Sequence, residues 1–192
     1  MKSSSIIFSV LSLALLSACG GGGGDKPVEP ASYASTLSYQ NPDSTGFRLV
    51  KNATASTATR LVLDLAGPSG TQAKGVAFFL VTDGAKAAWV HPTGAAGSCV
   101  APGSVFPLGT APQLKADKVE GAQVQVGLFQ KGGSATTLTD APLLSLGLNL
   151  KGATVAKGAV SLGLASGKQA VVLNADGTLS SITVSVGALS AQ

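Results

Sequence analysis

Apolar and polar residues alternate along much of this chain with a period of two. Leu61, Leu63 and Leu65 fall on one face of residues 60–65, and Leu144, Leu146, Leu148 and Leu150 alternate with Ser145, Gly147 and Asn149 in the cleanest such run of the sequence. Val124, Val126 and Leu128 are set against Gln123 and Gln125 in the same way. Shorter stretches with strand character are 33–40, 46–51, 86–91, 159–164, 169–173 and a last one holding Ile182, Val184 and Val186. Residues 75–82 are apolar on both faces, which predicts a central strand covered on each side or lying under a loop.

Turn chemistry punctuates these runs at Asn41-Pro42-Asp43-Ser44, Gly67-Pro68-Ser69-Gly70, Asp83-Gly84, Lys131-Gly132-Gly133-Ser134 and Asn174-Ala175-Asp176-Gly177. The longest irregular stretch is 92–112, rich in Gly and Pro, with room for one short strand near Val105. No window from residue 31 onward carries a helical apolar period with caps. The pattern therefore predicts an all-β fold, a single antiparallel β-sandwich or jelly roll of about nine to eleven short strands, with a closed barrel as the second arrangement.

The N-terminus obeys a different rule. Lys2 precedes an apolar run from Ile6 to Leu16 that is broken by Ser9 and Ser12. A membrane-spanning helix needs about 20 apolar residues, whereas this run has the length and small-residue end of an export signal. Leu16-Ser17-Ala18-Cys19 resembles the lipobox of bacterial lipoproteins. That resemblance implies a signal peptide over 1–18, a diacylated Cys19 after its removal, and attachment to the membrane through the N-terminal lipid. Gly20 stands where the family's inner-membrane retention signal usually has Asp, so the resemblance favours the outer membrane of a Gram-negative envelope, with its face left open. Gly20 to Gly24 and the two prolines before residue 31 read as a flexible tether over 19–30. The folded domain is expected over 31–192.

Composition narrows the function classes. Charged residues make up 11% of the chain, against 25 glycines and few aromatics, which suits short strands and tight turns. The formal charge is +4, or +3 once Lys2 is removed, and the remaining lysines are scattered singly. Nucleic-acid binders cluster Lys and Arg with interleaved aromatics, so no nucleic-acid partner is expected. With Cys19 spent on lipid, Cys99 has no intrachain partner and reads as a loop thiol.

The order of segments also resembles the cohesin-like β-sandwich, a relative of the carbohydrate-binding module sandwiches. The resemblance is carried by Leu61 to Leu65, by Gly75 to Asp83 with Trp89 and Val90 after a turn, by Val124 to Phe129, by Leu144 to Leu150, and by Val172 to Leu179. It implies a non-catalytic module that binds a protein partner or a polysaccharide. Cohesins bind dockerins through one sheet face, yet the family's contact positions have no distinctive motif here, so none is carried over.

Candidate chemistry is sparse. His91 is the only histidine and lies eight residues before Cys99, with no adjacent Asn or Asp to orient it as a base. One His and one thiol fall short of a zinc set. Asn174 and Asp176 could give two oxygens of a weak calcium site, though hairpin chemistry explains them as well. The nine acidic residues show no carboxyl pair of a glycosidase. No catalytic residue, metal or cofactor is expected. Sugar binding would rely on exposed rings. Tyr33, Tyr39, Trp89 and Phe129 are the candidates, and Trp89 and Phe129 are the two retained as ligand-binding residues, although Trp89, like Phe47 and Phe78, also fits a core position. Phe129 shares the polar face of its strand with Gln123 and Gln125. The expected function is an envelope-anchored binding module for a protein partner, with a polysaccharide-binding lipoprotein as the alternative.

Overall fold

A computed structural model of the chain describes residues 32–104, 113–130 and 134–192. The expected signal segment, Cys19, the expected glycine tether, the short strand expected near Val105 and most of the expected turn at 131–134 lie outside the described residues. Sixteen β segments follow one another, and no helix occurs among the described residues. They are β1 (Leu37–Gln40), β2 (Arg48–Lys51), β3 (Arg60–Ala66), β4 (Gln72–Thr82), β5 (Ala87–Val90), β6 (Val100–Pro102), β7 (Gln113–Ala116) and β8 (Val119–Glu120). The second half holds β9 (Gln123–Phe129), β10 (Thr136–Thr137), β11 (Leu144–Leu150), β12 (Gly158–Val160), β13 (Leu162–Leu164), β14 (Ala170–Asn174), β15 (Leu179–Ile182) and β16 (Ala188–Ala191).

One sheet has the order β2-β3-β11-β5, with β6 beside β11. A second has the order β15-β14-β4-β9-β7, extended by β13 and β10 on β4 and by β8 on β9. A small third sheet, β1-β16-β12, joins the first and last strands of the sandwich. Every strand pair is antiparallel.

The period-two leucines explain why the two larger sheets pack. Leu144, Leu146 and Leu148 of β11 lie in register with Leu65, Leu63 and Leu61 of β3, so both rows project to one side. From the other sheet come Val76, Phe78 and Leu80 of β4, matched by Leu128, Val126 and Val124 of β9. All are buried and belong to one core cluster. Each such side chain contributes about 1.5–3 kcal/mol when fully buried. This is the expected antiparallel β-sandwich.

Three details depart from the expectations. There are sixteen segments rather than nine to eleven, partly because single runs change sheets midway. In 159–164, β12 pairs with β16 while β13 pairs with β4; the corner between them is fixed where the Ser161 carbonyl accepts Asp83 N–H at 3.0 Å and Thr82 Oγ1–H at 3.1 Å. The last strand is not 182–186. That stretch forms a connector whose Ser185 exchanges backbone hydrogen bonds with Phe47 and Leu49, and the final strand is β16, whose only large apolar residue is Leu189. Thirdly, β4 is central but covered on its inner face alone. On its outer face Ala77 and Phe79 are half-buried and Val81 is 38% exposed.

Tyr39 ties the third sheet to the first. Its hydroxyl donates to Leu49 O at 3.1 Å and accepts Gly187 N–H at 2.7 Å, while burial pushes its pKa up.

Candidate docking face

Strands β15, β14, β4 and β9 present their outward side chains as one continuous surface. In register across the sheet, Leu179, Leu173, Gly75 and Phe129 form one row, and Ser181, Val171, Ala77 and Gly127 form the next. Residues paired in register share a face. Phe79 and Val81 continue along β4, opposite Gln125 and Gln123 of β9.

The centre of this face is apolar and low. Ala77, Phe79, Phe129, Val171 and Leu173 are half-buried, and Leu179 is 63% exposed. A Cβ added to Gly75 would stand 2.3 Å from Phe129 Cδ1, so the Phe129 ring already fills the space above that glycine. Ala77 and Gly127 leave a shallow floor between Phe79 and Phe129. Lys168 places its ammonium 5.4 Å from the centre of the Phe79 ring, a cation–π contact at an exposed site. Gln123, Gln125 and Glu120 supply a polar margin. The Glu120 carboxyl is paired with Lys118, whose hydrogen bond and charge hold its pKa below the usual value. An apolar centre with a polar rim is the anatomy of a protein-binding patch.

The sequence-level candidates fare differently. Trp89 is 8% exposed, packs in the core cluster and donates its indole N–H to Ala122 O at 2.8 Å. It offers no ring face to a sugar. Phe129 is half-buried on the outer face of β9, as its strand parity predicts, but its ring is committed to Gly75. The two aromatics therefore lie on opposite faces of the fold's layers and form no common platform. Of the two tyrosines, Tyr39 is buried and Tyr33 is 50% exposed, far in sequence from either ring.

The polar candidates are accounted for locally. His91 Nδ1 lies 2.8 Å from Thr93 Oγ1 in a turn. Cys99 is 3% exposed and stands immediately before β6. Burial, then the charge of Asp117, push its thiol up to about 11. Asp176 Oδ1 accepts Thr178 N–H at 2.9 Å and the Thr178 hydroxyl at 2.7 Å, which lowers its pKa. Asn174 Nδ2 donates to Thr178 Oγ1 and Ser180 Oγ. With Gly177 at φ +86°, these bonds close the β14–β15 hairpin and explain both residues without an ion. Among the described residues no three His, Cys, Asp or Glu side chains converge.

Residues Ala77, Phe79, Val171, Leu173 and Leu179 were not singled out by the sequence as binding positions. The signal for the first two was the two-faced apolarity of 75–82, read there as burial on both sides.

No protein-family model matches the chain, and no curated protein matches it by sequence. Solved structures share its fold. The sixth cohesin of scaffoldin B from Acetivibrio cellulolyticus superposes with a TM-score of 0.53 at 17% identity, covering 74% of this chain and 96% of the cohesin. A type II cohesin domain from the cellulosome of the same organism gives 0.53 at 12% identity, over 75% and 93% of the two chains. The second type II cohesin module of its ScaA scaffoldin gives 0.52 at 12% identity, over 75% and 88%. At these identities the likeness is one of fold, and the architecture is a cohesin-like β-sandwich.

Proposed function

We propose that the sandwich is a non-catalytic protein-docking module, held at the cell envelope by a lipid on Cys19 and engaging its partner through the outer face of β15, β14, β4 and β9. The observation that carries this reading is the low apolar floor of that face, which no described element covers and which Gln123, Gln125 and Glu120 border on one side. One of the cohesins of like fold is seen in complex with a dockerin, which supports a protein as the class of ligand. The anchor rests on Leu16-Ser17-Ala18-Cys19 and the glycine run behind it.

The docking reading is tested by capture from envelope extracts with the native chain and with Ala77→Arg. Ala77 faces outward, so the substitution spares the core while putting a charge at the centre of the floor. A reproducible protein partner is expected, bound at least about tenfold more weakly by the variant, in line with the loss of a central contact. A partner held equally by both forms would place binding elsewhere. The anchor is tested separately by fractionating cells that carry Cys19→Ala, where unchanged membrane association would remove the lipid.

A polysaccharide is the second reading, favoured by the half-buried Phe129 ring on the same face. It is weakened by the burial of Trp89. Retention on a polysaccharide column with no captured protein would reverse the order of the two.

A further inference from the structure

The end of the sandwich where the tether joins has its own chemistry. The first described residues enter beside the loop before β12: Tyr33 bridges Ala156, and Ala34 N–H donates to Val155 O at 2.7 Å. Three lysines lie on the segments next to this entry. Lys157 follows Ala156 directly. Lys86 Nζ donates to Ala159 O at 2.9 Å, two residues beyond Lys157. Lys151 is joined to Lys86 through its N–H on Lys86 O at 2.9 Å, and its Nζ donates to Gly84 O at 2.5 Å.

None of the three has an ion-pair partner among the described residues. Lys151 and Lys157 are exposed and Lys86 is half-buried. Asp83, in the adjoining turn, offsets one charge. The Lys118–Glu120 pair in the nearby β8 hairpin adds none, while the Gln192 carboxylate, which accepts the Ser35 and Thr36 amides, keeps its charge and offsets a second. Elsewhere Arg48 is paired with Asp140, and Lys168 is spent on Phe79. Lys51, Arg60 and Lys74 also lack an ion-pair partner, but they lie singly on β2, β3 and β4, whereas Lys86, Lys151 and Lys157 fall on one set of hydrogen-bonded segments.

At the same end Tyr33 is 50% exposed, beside a shallow, largely apolar cleft lined by Tyr33, Ser35, Thr59, Leu150, Gly152 and Ala153. A tyrosine ring with a polar tip beside lysines on long stems is the residue set that settles at a lipid–water boundary. The tether contributes Asp25, Lys26 and Glu29, a net negative charge, so any attraction has to come from the sandwich itself.

We propose that this end is a contact surface for an anionic phospholipid bilayer, with Lys86, Lys151 and Lys157 against headgroup phosphates and Tyr33 in the interface. The proposal rests on the lipid-anchor reading for its setting, since a tether only brings this end to a membrane if Cys19 is acylated. The contact turns a loosely held domain into one with its tether end on the bilayer. Acyl chains and a basic patch are additive signals for membrane attachment. The docking face adjoins this end only at its Glu120 margin, and its centre at Ala77 and Leu173 is left to a partner.

The test uses the chain from residue 19 onward with Cys19→Ser, because the whole described core lies within Ala31–Gln192. Partition is measured onto vesicles of phosphatidylcholine alone and of phosphatidylcholine with phosphatidylglycerol. Binding is expected on the anionic vesicles at low salt, weakened by salt. Each lysine near a charged surface is worth about fivefold in partition. Lys86→Gln/Lys151→Gln/Lys157→Gln should therefore lose on the order of 100-fold, while Lys51→Gln/Lys74→Gln stays close to the parent. Glutamine keeps a donor for the Ala159 and Gly84 carbonyls, and unchanged emission from the buried Trp89 reports an intact fold. In a Tyr33→Trp variant, emission should move to the blue when anionic vesicles are added. Equal partition onto both vesicle types, a triple variant that binds as well as the parent, or unmoved Tyr33→Trp emission would each overturn the proposal. Because this protein carries no lipid, its result is independent of cell fractionation with Cys19→Ala, which judges the anchor alone.

Discussion

Cys99 shows how one side chain acquires its chemistry from position. The thiol is 3% exposed, and burial followed by the Asp117 charge raise its pKa from 9.0 to about 11. The thiolate is the reactive form, so a native chain carrying Cys19→Ser should show no thiol to a disulfide reagent at pH 8 and one after denaturation. Rapid labelling of the folded protein would contradict this. The same shift sets a pH dependence. A thiol whose folded pKa is raised contributes stability that is complete below 9.0 and is lost as pH rises towards about 11, because the unfolded chain releases its proton first. Tyr39, raised by desolvation, acts in the same direction. Urea midpoints should therefore fall above pH 9. From the sequence this thiol was readable as unpaired and as part of an irregular stretch, but not as buried: the Gly-rich loop that holds it has no period, and its backbone pairing with β11, where Gly147 N–H donates to Cys99 O at 3.1 Å, is a long-range contact that no local pattern shows.

At the level of elements, the period-two leucines of β3 and β11 made the core legible. Strands lacking large alternating residues did not announce themselves. β16 reads ALSA and takes its place through backbone pairing with β1 and β12. Glycines also carry information that a hydropathy pattern omits. In β11 a Cβ on Gly147 would stand 2.3 Å from Val90 O and 3.0 Å from the His91 carbonyl, both of them backbone atoms that cannot turn aside. Gly147→Ala is expected to cost about 1–3 kcal/mol through overpacking. Gly163→Ala in β13, where nothing lies within 4 Å, should leave the urea midpoint close to that of the parent. Equal midpoints for the two variants would show that β5 can move away from β11.

For the whole molecule, the layered β architecture followed from alternation alone, whereas the docking face did not. Its residues come from strands as distant as β4 and β15, and only the pairing of β4 with β14 and of β14 with β15 brings Ala77, Leu173 and Leu179 to one surface. Alternation assigns each strand an inside and an outside, but it does not say which outsides adjoin. Trp89 stayed open between two readings for the complementary reason: a lone large ring in a short strand looks the same in sequence whether it points to solvent or to Ala122 O. The entry of the chain carries a last consequence, a mechanical one. Ahead of and at the start of β1, Ala34 is bonded to Val155, Ser35 and Thr36 to Gln192, and Leu37 to Ala58, so three separate segments grip the first few residues. Tension applied along β1 crosses hydrogen bonds that lie perpendicular to the strand, which loads them together in shear. Single-molecule pulling between residue 19 and a handle at Ala77→Cys is expected to meet one sharp barrier, and gradual yielding would show that the grip fails bond by bond. A domain fastened in this way would hold its shape while a bound partner strains against the leash.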